Sequence, residues 1–586
     1  MNNNKTIKLG EPNYSEGVFG IDLGTTNSAI ALVSSGNTPE VIPLIKADDA
    51  LAEGYNGIND IFTMPSVVAW LGGDNFEVGH KAYLHKYDEN VAYSMKRKIG
   101  RDNDSITLKY NGEEREFTAT DIATQVLKKL CEYVEPYYGK IKDVVITVPA
   151  YFDNRQVEET RKAGERIGLN VLSTFREPTS GALNYAILHP SKREQRVMVY
   201  DLGGGTFDVS LVKIINDEDD EVMDKIYGFT HHKPSGEESS GIILDVLRKD
   251  GDSHLGGDDI DDELVKIALN KYRAKGVDVD NLTDKTLEYL KYRLSGLKND
   301  GGGSFELPYK LELNDGTTLT DVCIPFNDND FYKATKIIYD RTKKCVDNTL
   351  QGEPVDAIIL VGGSTKSAHI RRLLAEDYPN TLIDTSLNPD EAVALGAASQ
   401  AKRLKYGSGN IKVFDILPIS IGILTGIKQN KIRKLIDKDT PLPYSKTERF
   451  MTVEEGQTQI HVNVYQGNSV IPEECTNLGR LEINDIPVKE DEKASVDVTL
   501  TVNTDGVLSC RAKVGDIEKE CVLVNILKGE TVKAKSKEDK RIIRWRRRIN
   551  DVEDKEIRDN LLSNLAEVEE GRMSVKDFTA LMREHI

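Results

Sequence analysis

Up to about residue 405, apolar residues fall in short blocks separated by polar stretches of helical period. Two short runs, Val18–Phe19 and Ala29–Val33, flank Gly20-Ile21-Asp22-Leu23-Gly24-Thr25-Thr26-Asn27-Ser28. Val197–Val199 and Val209 with Leu211 flank Tyr200-Asp201-Leu202-Gly203-Gly204-Gly205-Thr206-Phe207-Asp208 in the same way. Each block reads as two strands around a tight turn. Between them, Thr63–Trp70 reads as a turn feeding a strand, and Ile122, Val126, Leu127 and Leu130 carry a helical period. Val144–Val148 is a continuous apolar run of the kind that is buried on both faces. Asn154–Ile167 is helix-compatible, and Glu177-Pro178 opens another short segment. Further on come a helical run at Asp261–Tyr272 and a buried strand at Ala357–Val361, then a Gly362–Thr365 turn and a helix at Ala368–Ala375. Asn388 stands as an N-cap before Pro389 at the first position of a last helix. Strands alternating with helices in this order predict an α/β domain.

The pattern changes after Lys405-Tyr406-Gly407-Ser408-Gly409-Asn410, which has the composition of a linker. Strict alternation replaces the helical period, at Ile460, Val462 and Val464 and again at Val496, Val498, Leu500 and Val502, with a turn at Asn503–Gly506. Residues 411 to about 530 therefore read as an antiparallel β-sandwich. From Ser536 a charge-rich helical pattern follows, with Ile557, Leu561, Leu562 and Leu565 at helical spacing. Asn216–Gly241 is acidic and Ser/Gly-rich, as in a surface insertion.

Length and composition narrow the class. A chain of 586 residues suggests about three to four domains, and 39% hydrophobic with 30% charged residues is a globular balance. The 77 basic and 96 acidic residues give a net charge of −19, which argues against a general nucleic-acid or anionic-membrane binder. The six cysteines are scattered, with no CxxC pair, so neither a disulfide framework nor a zinc site is indicated. Met1–Gly17 is polar, expected to be disordered, and lacks the apolar core of a signal peptide. A cytoplasmic monomer with reduced thiols is the expectation.

The candidate chemistry lies in the glycine turns. Their N–H groups and threonine hydroxyls suit phosphate oxygens, and the aspartates suit a hydrated Mg²⁺ rather than phosphate itself. One such hairpin is a common turn, whereas two at a domain's separation point to a ligand. The basic cluster Lys96-Arg97-Lys98 reads by itself as a solvated face, although one of its cations is available to a phosphate in the same domain. Glu288, Lys291 and Ser295 fall on one helical face, which by spacing alone is an exposed charged face. Arg544–Arg548 reads as a solvated helix end rather than a nucleic-acid arm.

Gly20–Ser28, Asp201–Asp208, Leu360–Thr365 and Asn388–Val393, in this order and spacing, resemble the nucleotide-site motifs of the seventy-kilodalton heat-shock (DnaK-type) chaperones. Ile411–Pro418 is similar to their interdomain linker running into the first β-strand. The resemblance covers roughly residues 18 to 530 and implies an actin-like two-lobed ATPase domain at 18–405 (lobes about 18–195 and 196–405). A linker at 406–415, a β-sandwich peptide-binding domain at 416–530 and a short helical lid or tail at 531–586 would follow. It implies ATP or ADP with Mg²⁺ held through waters near Asp22 and Asp201, and a bound K⁺ associated with Asp208. Gly24, Thr25, Thr26, Asn27, Gly203, Gly204, Gly205 and Thr206 would face the phosphates. Lys96 matches the lysine that orients the attacking water, and Glu177 the carboxylate near the metal. Glu288, Lys291, Ser295, Gly362, Gly363, Ser364, Lys366 and Asp390 would form the adenosine pocket, and Ile421, Ile423, Phe450, Val453, Ile460 and Val462 the peptide groove.

The departures from the family pattern fall mostly in coupling and peptide binding rather than in the nucleotide chemistry. Gly426 and Val453 stand where the family builds an arch over the peptide. Val157 and Ser173 replace arginines of domain coupling and J-domain docking, and Tyr292 replaces an adenine-side residue. Lys412 puts a charge in an otherwise aliphatic linker, and the tail is short for a full lid. The expected function is an ATP-dependent chaperone for extended hydrophobic peptides of unfolded proteins, with J-domain and nucleotide-exchange partners and no nucleic acid or membrane. A structural ATP-binding exchange factor or scaffold of the same family, and a small-molecule kinase of the actin and sugar-kinase superfamily, are the alternatives.

Overall fold

The computed structural model describes residues 17–33, 38–45, 60–101, 104–190, 194–216, 242–299, 304–407, 411–425, 431–484, 486, 488, 492–503, 507–515, 517–525, 530–531, 561, 564–565 and 578. The expected disordered N-terminus but for Gly17, nearly all of the acidic insertion after Asn216, Gly426 and Arg544–Arg548 lie outside these residues.

Two sheets share one design. In the first, Val18–Asp22 runs antiparallel to Asn27–Val33 and parallel to Asp143–Val148, which pairs in turn with Asn170–Arg176. In the second, Gln195–Leu202 runs antiparallel to Phe207–Asn216 and parallel to Ala357–Val361, which pairs with Leu382–Asp384. Asp143–Val148 is buried at every position, as its unbroken apolar run requires. Each sheet therefore carries its Asp–Gly–Thr hairpin on the same pair of strands.

Helices Glu177–Leu188 and Ala392–Tyr406 pack between the sheets, in an apolar cluster that includes Val18, Val145, Val199, Ala182, Ile359 and Ala397. Their close approach depends on glycine. A Cβ on Gly396 would lie 1.9 Å from the Ser180 carbonyl oxygen, and one on Gly20 2.1 Å from the Ala398 nitrogen. Ser180 Oγ donates to the Val393 carbonyl at 2.7 Å and fixes the crossing. The last helix begins at Ala392, after Glu391, rather than at Pro389. Asn388 is not its N-cap: Asn388 Oδ1 accepts from the Asp390 N–H at 3.2 Å, so the motif is a turn ahead of the helix.

Around the second sheet lie helices Gly257–Ala274, Asp284–Asn299 and Asp328–Leu350 and the hairpin of Phe305–Glu312 with Thr318–Phe326. Gly407, at φ 62°, ends the helix that precedes the linker. Ile411–Phe414 then forms a strand parallel to Ile242–Asp252, with Ile242 opposite Ile411 and Asp245 opposite Phe414, at the edge of the second sheet.

Beyond it, a four-stranded sheet (Lys431–Ile436, Ile421–Thr425, Ile460–Gln466, Thr476–Ile483) faces a five-stranded one. The latter runs Tyr444–Met451, Ser495–Val502, Val507–Val514, Ile517–Asn525, Glu530–Thr531. Inward-facing positions of both, among them Val464, Leu481, Val498, Leu500 and Leu508, form one apolar core. In the tail, Leu561, Leu565 and Phe578 are helical and buried. Among the described residues no helix is long and apolar enough to cross a membrane.

Candidate functional site

The two hairpins and the Gly362 turn line a single cleft of about 480 Å³ between the two sheets. Strand Val18–Asp22 delivers Asp22 to it and strand Gln195–Leu202 delivers Asp201. A short 3-10 turn at Met95–Lys98 supplies Lys96, and the first turn of helix Glu177–Leu188 supplies Glu177. Lys96 Nζ binds Glu177 Oε1 with both side chains almost fully enclosed, 6% and 9% exposed. Thr147 Oγ1 donates to Asp22 Oδ1 at 2.8 Å.

Charge in this floor is unbalanced. Burial, and then the Glu177 carboxylate, push Asp22 and Asp208 each up to about 7, with Lys96 opposing. Asp201 is held well above the usual carboxylate range by burial, Glu177, Asp208 and Asp22. Asp22, Asp201 and Glu177 crowd around Lys96, Arg176 and Lys249 act on Asp208 beneath them, and a divalent cation would relieve the excess among the carboxylates that line the cleft. Thr26 Oγ1 is buried with no hydrogen-bond partner, and a Cβ on Gly204 would lie 1.7 Å from it. A cradle that only glycine leaves open, with an orphaned hydroxyl in its wall, fits a phosphate chain. Among the described residues no three His, Cys, Asp or Glu side chains are grouped to hold a bare metal ion.

Of the expected nucleotide residues, Asp22, Gly24, Thr25, Thr26, Asn27, Lys96, Glu177, Asp201, Gly203, Gly204 and Thr206 line the cleft. So do Ser295, Gly362, Gly363, Ser364, Lys366 and Asp390, with Lys366 Nζ bound to Asp390 Oδ2. Gly205 packs against Arg97 and Thr25 behind the hairpin, and Asp208 lies beneath Asp201 outside the lining. Glu288 and Lys291 also fall outside it, Lys291 Nζ turning to Asp262 Oδ1.

Sequence reasoning missed other lining residues. Lys298 Nζ reaches Asp261 Oδ1 at 2.7 Å and the Gly257 carbonyl at 2.9 Å. Tyr83 and Lys86 line the cleft from the first lobe. The Lys86 ammonium sits 4.8 Å from the Tyr93 ring centroid and 5.6 Å from that of Tyr87. Tyr83 meets Tyr292 of the second lobe at 6.4 Å, and Ser94 Oγ donates to Asp258 Oδ2 at 2.9 Å. No glycine signature marks these residues. The available signal was the acidic run Asp258-Asp259 facing the basic run Lys96-Arg97, joined here by Arg97 Nη2 to Asp259 Oδ2 at 3.1 Å.

In the sandwich, Ile421, Ile423 and Val462 point into the core, Phe450 and Ile460 are partly buried against it, and Val453 is exposed. Contacts join this unit to the lobes. Gln466 Oε1 accepts from the Asn154 N–H at 3.0 Å, Lys438 Nζ lies 5.4 Å from the Tyr151 ring centroid, and Lys249 Nζ stands 3.4 Å from Asp415 Oδ1.

The "Hsp70 protein" family model matches residues 18–218 and 238–580. Chaperone protein DnaK of Thermotoga neapolitana is 33% identical over 530 residues, covering 85% of this chain and 78% of that protein. Chaperone protein DnaK of the alga Cyanidium caldarium is 32% identical over 535 residues, with the same coverages.

Proposed function

The chain belongs to the Hsp70 family, and from that premise we propose how its residues divide the work of an ATP-dependent chaperone. It is an ATPase of the Hsp70 chaperone type, and family members use ATP or ADP with Mg²⁺. The observation that carries the residue assignment is the buried Lys96–Glu177 pair set among Asp22, Asp201 and Asp208 at the floor of a glycine-lined cleft.

When bound, Mg²⁺–ATP supplies an electrophilic γ-phosphorus and a leaving group. The amides of Gly203 and Gly204 and the hydroxyls of Thr25, Thr26 and Thr206 hold the phosphate oxygens. Asp22 and Asp201 would hold the hydrated Mg²⁺, which would offset the phosphate charge, and Asp208 would hold a K⁺. The Lys96 ammonium orients the attacking water, and Glu177 fixes Lys96 through their buried bond. Ser295, Gly362, Gly363, Ser364, Lys366 and Asp390 hold the adenosine, joined by Lys298 and Asp261. Glu288 and Lys291 stand outside the lining, with Lys291 bound to Asp262, and are assigned to the adenosine on the family resemblance.

The proposed units are residues 18–405 for the nucleotide, 406–415 for coupling, 416–530 for an extended hydrophobic peptide and 531–586 for a short lid. Main-chain pairing plus an apolar pocket is the recognition mode, at Ile421, Ile423, Phe450, Val453, Ile460 and Val462. Ile421, Ile423 and Val462 are enclosed in the sandwich core, so Phe450, Val453 and Ile460 offer the accessible part of this surface. The protein works as a cytoplasmic monomer with a J-domain protein and an exchange factor. Val157 is enclosed in the core of the first lobe and Ser173 is buried, so the J-domain protein docks without the usual arginines there.

Single-turnover assays with γ-labelled ATP test the assignment. Release of inorganic phosphate, with unfolded peptide present, is the expected result. Transfer of the label to a metabolite would replace it with a kinase, and binding with no turnover would replace it with a structural ATP binder.

A further inference from the structure

Two of the six cysteines face each other. In the hairpin formed by Val507–Val514 and Ile517–Asn525, Cys510 is directly opposite Cys521 in the antiparallel register. Directly opposed residues share one face of a sheet, and here that face is the interior: Cys510 is fully enclosed in the sandwich core and Cys521 packs against it from a partly exposed position. Opposed positions in an antiparallel ladder are about 4.5 to 5.5 Å apart at Cα. That lies inside the range of about 4.4 to 6.8 Å that a disulfide spans. The backbone therefore need not move far to join them. The next pair along, Arg511 and Glu520, is already bridged across the outer face, with Nε to Oε2 at 3.2 Å, so the register is held on both faces.

We propose that Cys510 and Cys521 are an oxidisable thiol pair, a modification site that a peroxide converts into a reversible disulfide across the sheet. The two thiols differ in access, and the difference sets the order of events. Cys521 is the more accessible of the two, although burial, offset only in part by the Lys519 cation, holds its thiol above the ordinary range, so access rather than acidity makes it the first sulfur a peroxide meets. Cys510 is pushed up to about 12 by burial and by its neighbour Cys521, and stays a thiol. The Cys521 thiolate attacks one peroxide oxygen, the O–O bond breaks, and Cys521 becomes a sulfenic acid while the other oxygen leaves as hydroxide. Cys510 sulfur then attacks the Cys521 sulfur. Its proton goes to the departing hydroxyl, water leaves, and the S–S bond forms. Two thiols have been oxidised and one peroxide reduced to two waters. A dithiol reverses the change by exchange.

The bond would tie the fourth strand of the five-stranded sheet to the third, on the side of the sheet away from Tyr444–Met451. It changes no residue assigned to nucleotide or peptide.

The test uses the full chain. The folded protein is treated with hydrogen peroxide, remaining thiols are blocked with an alkylating agent, and tryptic peptides are mapped by mass spectrometry. The expected product links peptide 494–511 to peptide 520–528, and dithiothreitol abolishes it. In Cys521→Ser the linked product is absent and Cys510 is recovered as an unoxidised thiol; oxidation of Cys510 at the wild-type rate in that variant would overturn the stated order. Recovery of both wild-type cysteines as free thiols, or as separate sulfinic acids, while other cysteines oxidise, would overturn the pairing itself. Oxidised wild type is also expected to unfold at a higher urea concentration than reduced protein, a shift missing from Cys521→Ser. An unchanged midpoint in fully linked protein would show that the bond is strained and not stabilising, and would overturn its role as a staple.

Discussion

Lys96 is the residue proposed to orient the attacking water. Its ammonium is buried, and it pairs with Glu177, itself enclosed. Lys96→Ala is expected to keep ATP affinity within a few-fold and to lower single-turnover hydrolysis by about 100-fold or more, because the cation acts on the attacking water and the transition state. Equilibrium titration and quenched-flow measurements separate the two effects. The carboxylates beside it give a pH dependence. Asp22 and Asp208, at about 7 in the folded protein, keep protons that the unfolded chain has released. Their ionisation above pH 7 therefore opposes folding, and the opposition is lifted as pH falls through 7 toward the ordinary carboxylate value. Nucleotide-free protein is expected to gain in Tm between about pH 8 and about pH 6, and Mg²⁺–ADP to flatten that slope. A Tm that falls over the same range would contradict the charge crowding. Asp22 and Asp208 were legible because the Asp–Gly–Thr turn, common when single, occurs twice at a domain's separation, whereas Lys96 by itself read as part of a solvated face. Lys86, Asp261 and Lys298 were not legible, since lysine and aspartate on helices are ordinarily surface residues and only the fold turns these toward the cleft. Glu288, Lys291 and Ser295 show the opposite error of scale: one helical face was correctly seen, but the cleft reaches only Ser295.

At the scale of elements, the two hairpins are held in register by the helices Glu177–Leu188 and Ala392–Tyr406, which meet where Gly396 lies against Ser180 and leaves no room for a side chain of its own. Gly396→Ala places a methyl 1.9 Å from the Ser180 carbonyl oxygen and is expected to cost about 3 kcal/mol or more in urea unfolding. In sequence, Glu177-Pro178 marked only the opening of a short segment and the last helix was announced by a capping signal; their crossing was not legible, because a packing glycine looks like any other in sequence. Ile411–Phe414 is the clearer case. Composition marks a linker at Lys405–Asn410 and the family resemblance extends it over Ile411–Phe414, yet pairing at the sheet edge beside Ile242–Asp252 makes the latter segment a strand. Lys249, 2% exposed, faces Asp415 at the end of that strand and also donates to the Ile416 carbonyl at 3.3 Å. Asp415→Ala leaves that lysine buried beside no carboxylate at this position, an arrangement that costs about 3 to 5 kcal/mol. The strand is expected to undock instead, so that amide exchange of residues 411–414 accelerates while ATP affinity is kept. Unchanged exchange would mean that the ion pair does not hold the strand.

Over the whole molecule, the nucleotide cleft and the sandwich communicate through few contacts. Asn154 with Gln466, Tyr151 with Lys438 and Lys249 with Asp415 join the units where the family's usual arginines are replaced by buried Val157 and Ser173. The Asn154 side-chain amide is buried with no hydrogen-bond partner, and so is the Tyr151 hydroxyl. A junction with unsatisfied polar groups is held at a cost, and such a junction opens when the cleft no longer favours it. The alternation of apolar residues after residue 410 announced a sandwich, but not that Ile421, Ile423 and Val462 would be closed into its core, since alternation marks a face without saying what covers it. The central claim is that the state of the cleft sets the hold on peptide. Fluorescence anisotropy of a labelled, unstructured apolar peptide, titrated with the full chain in Mg²⁺–ADP and in Mg²⁺–ATP, tests it most directly. Weaker affinity and faster release in ATP, by about tenfold or more (about 1.4 kcal/mol), is the expected result; the same affinity in both nucleotides would contradict it.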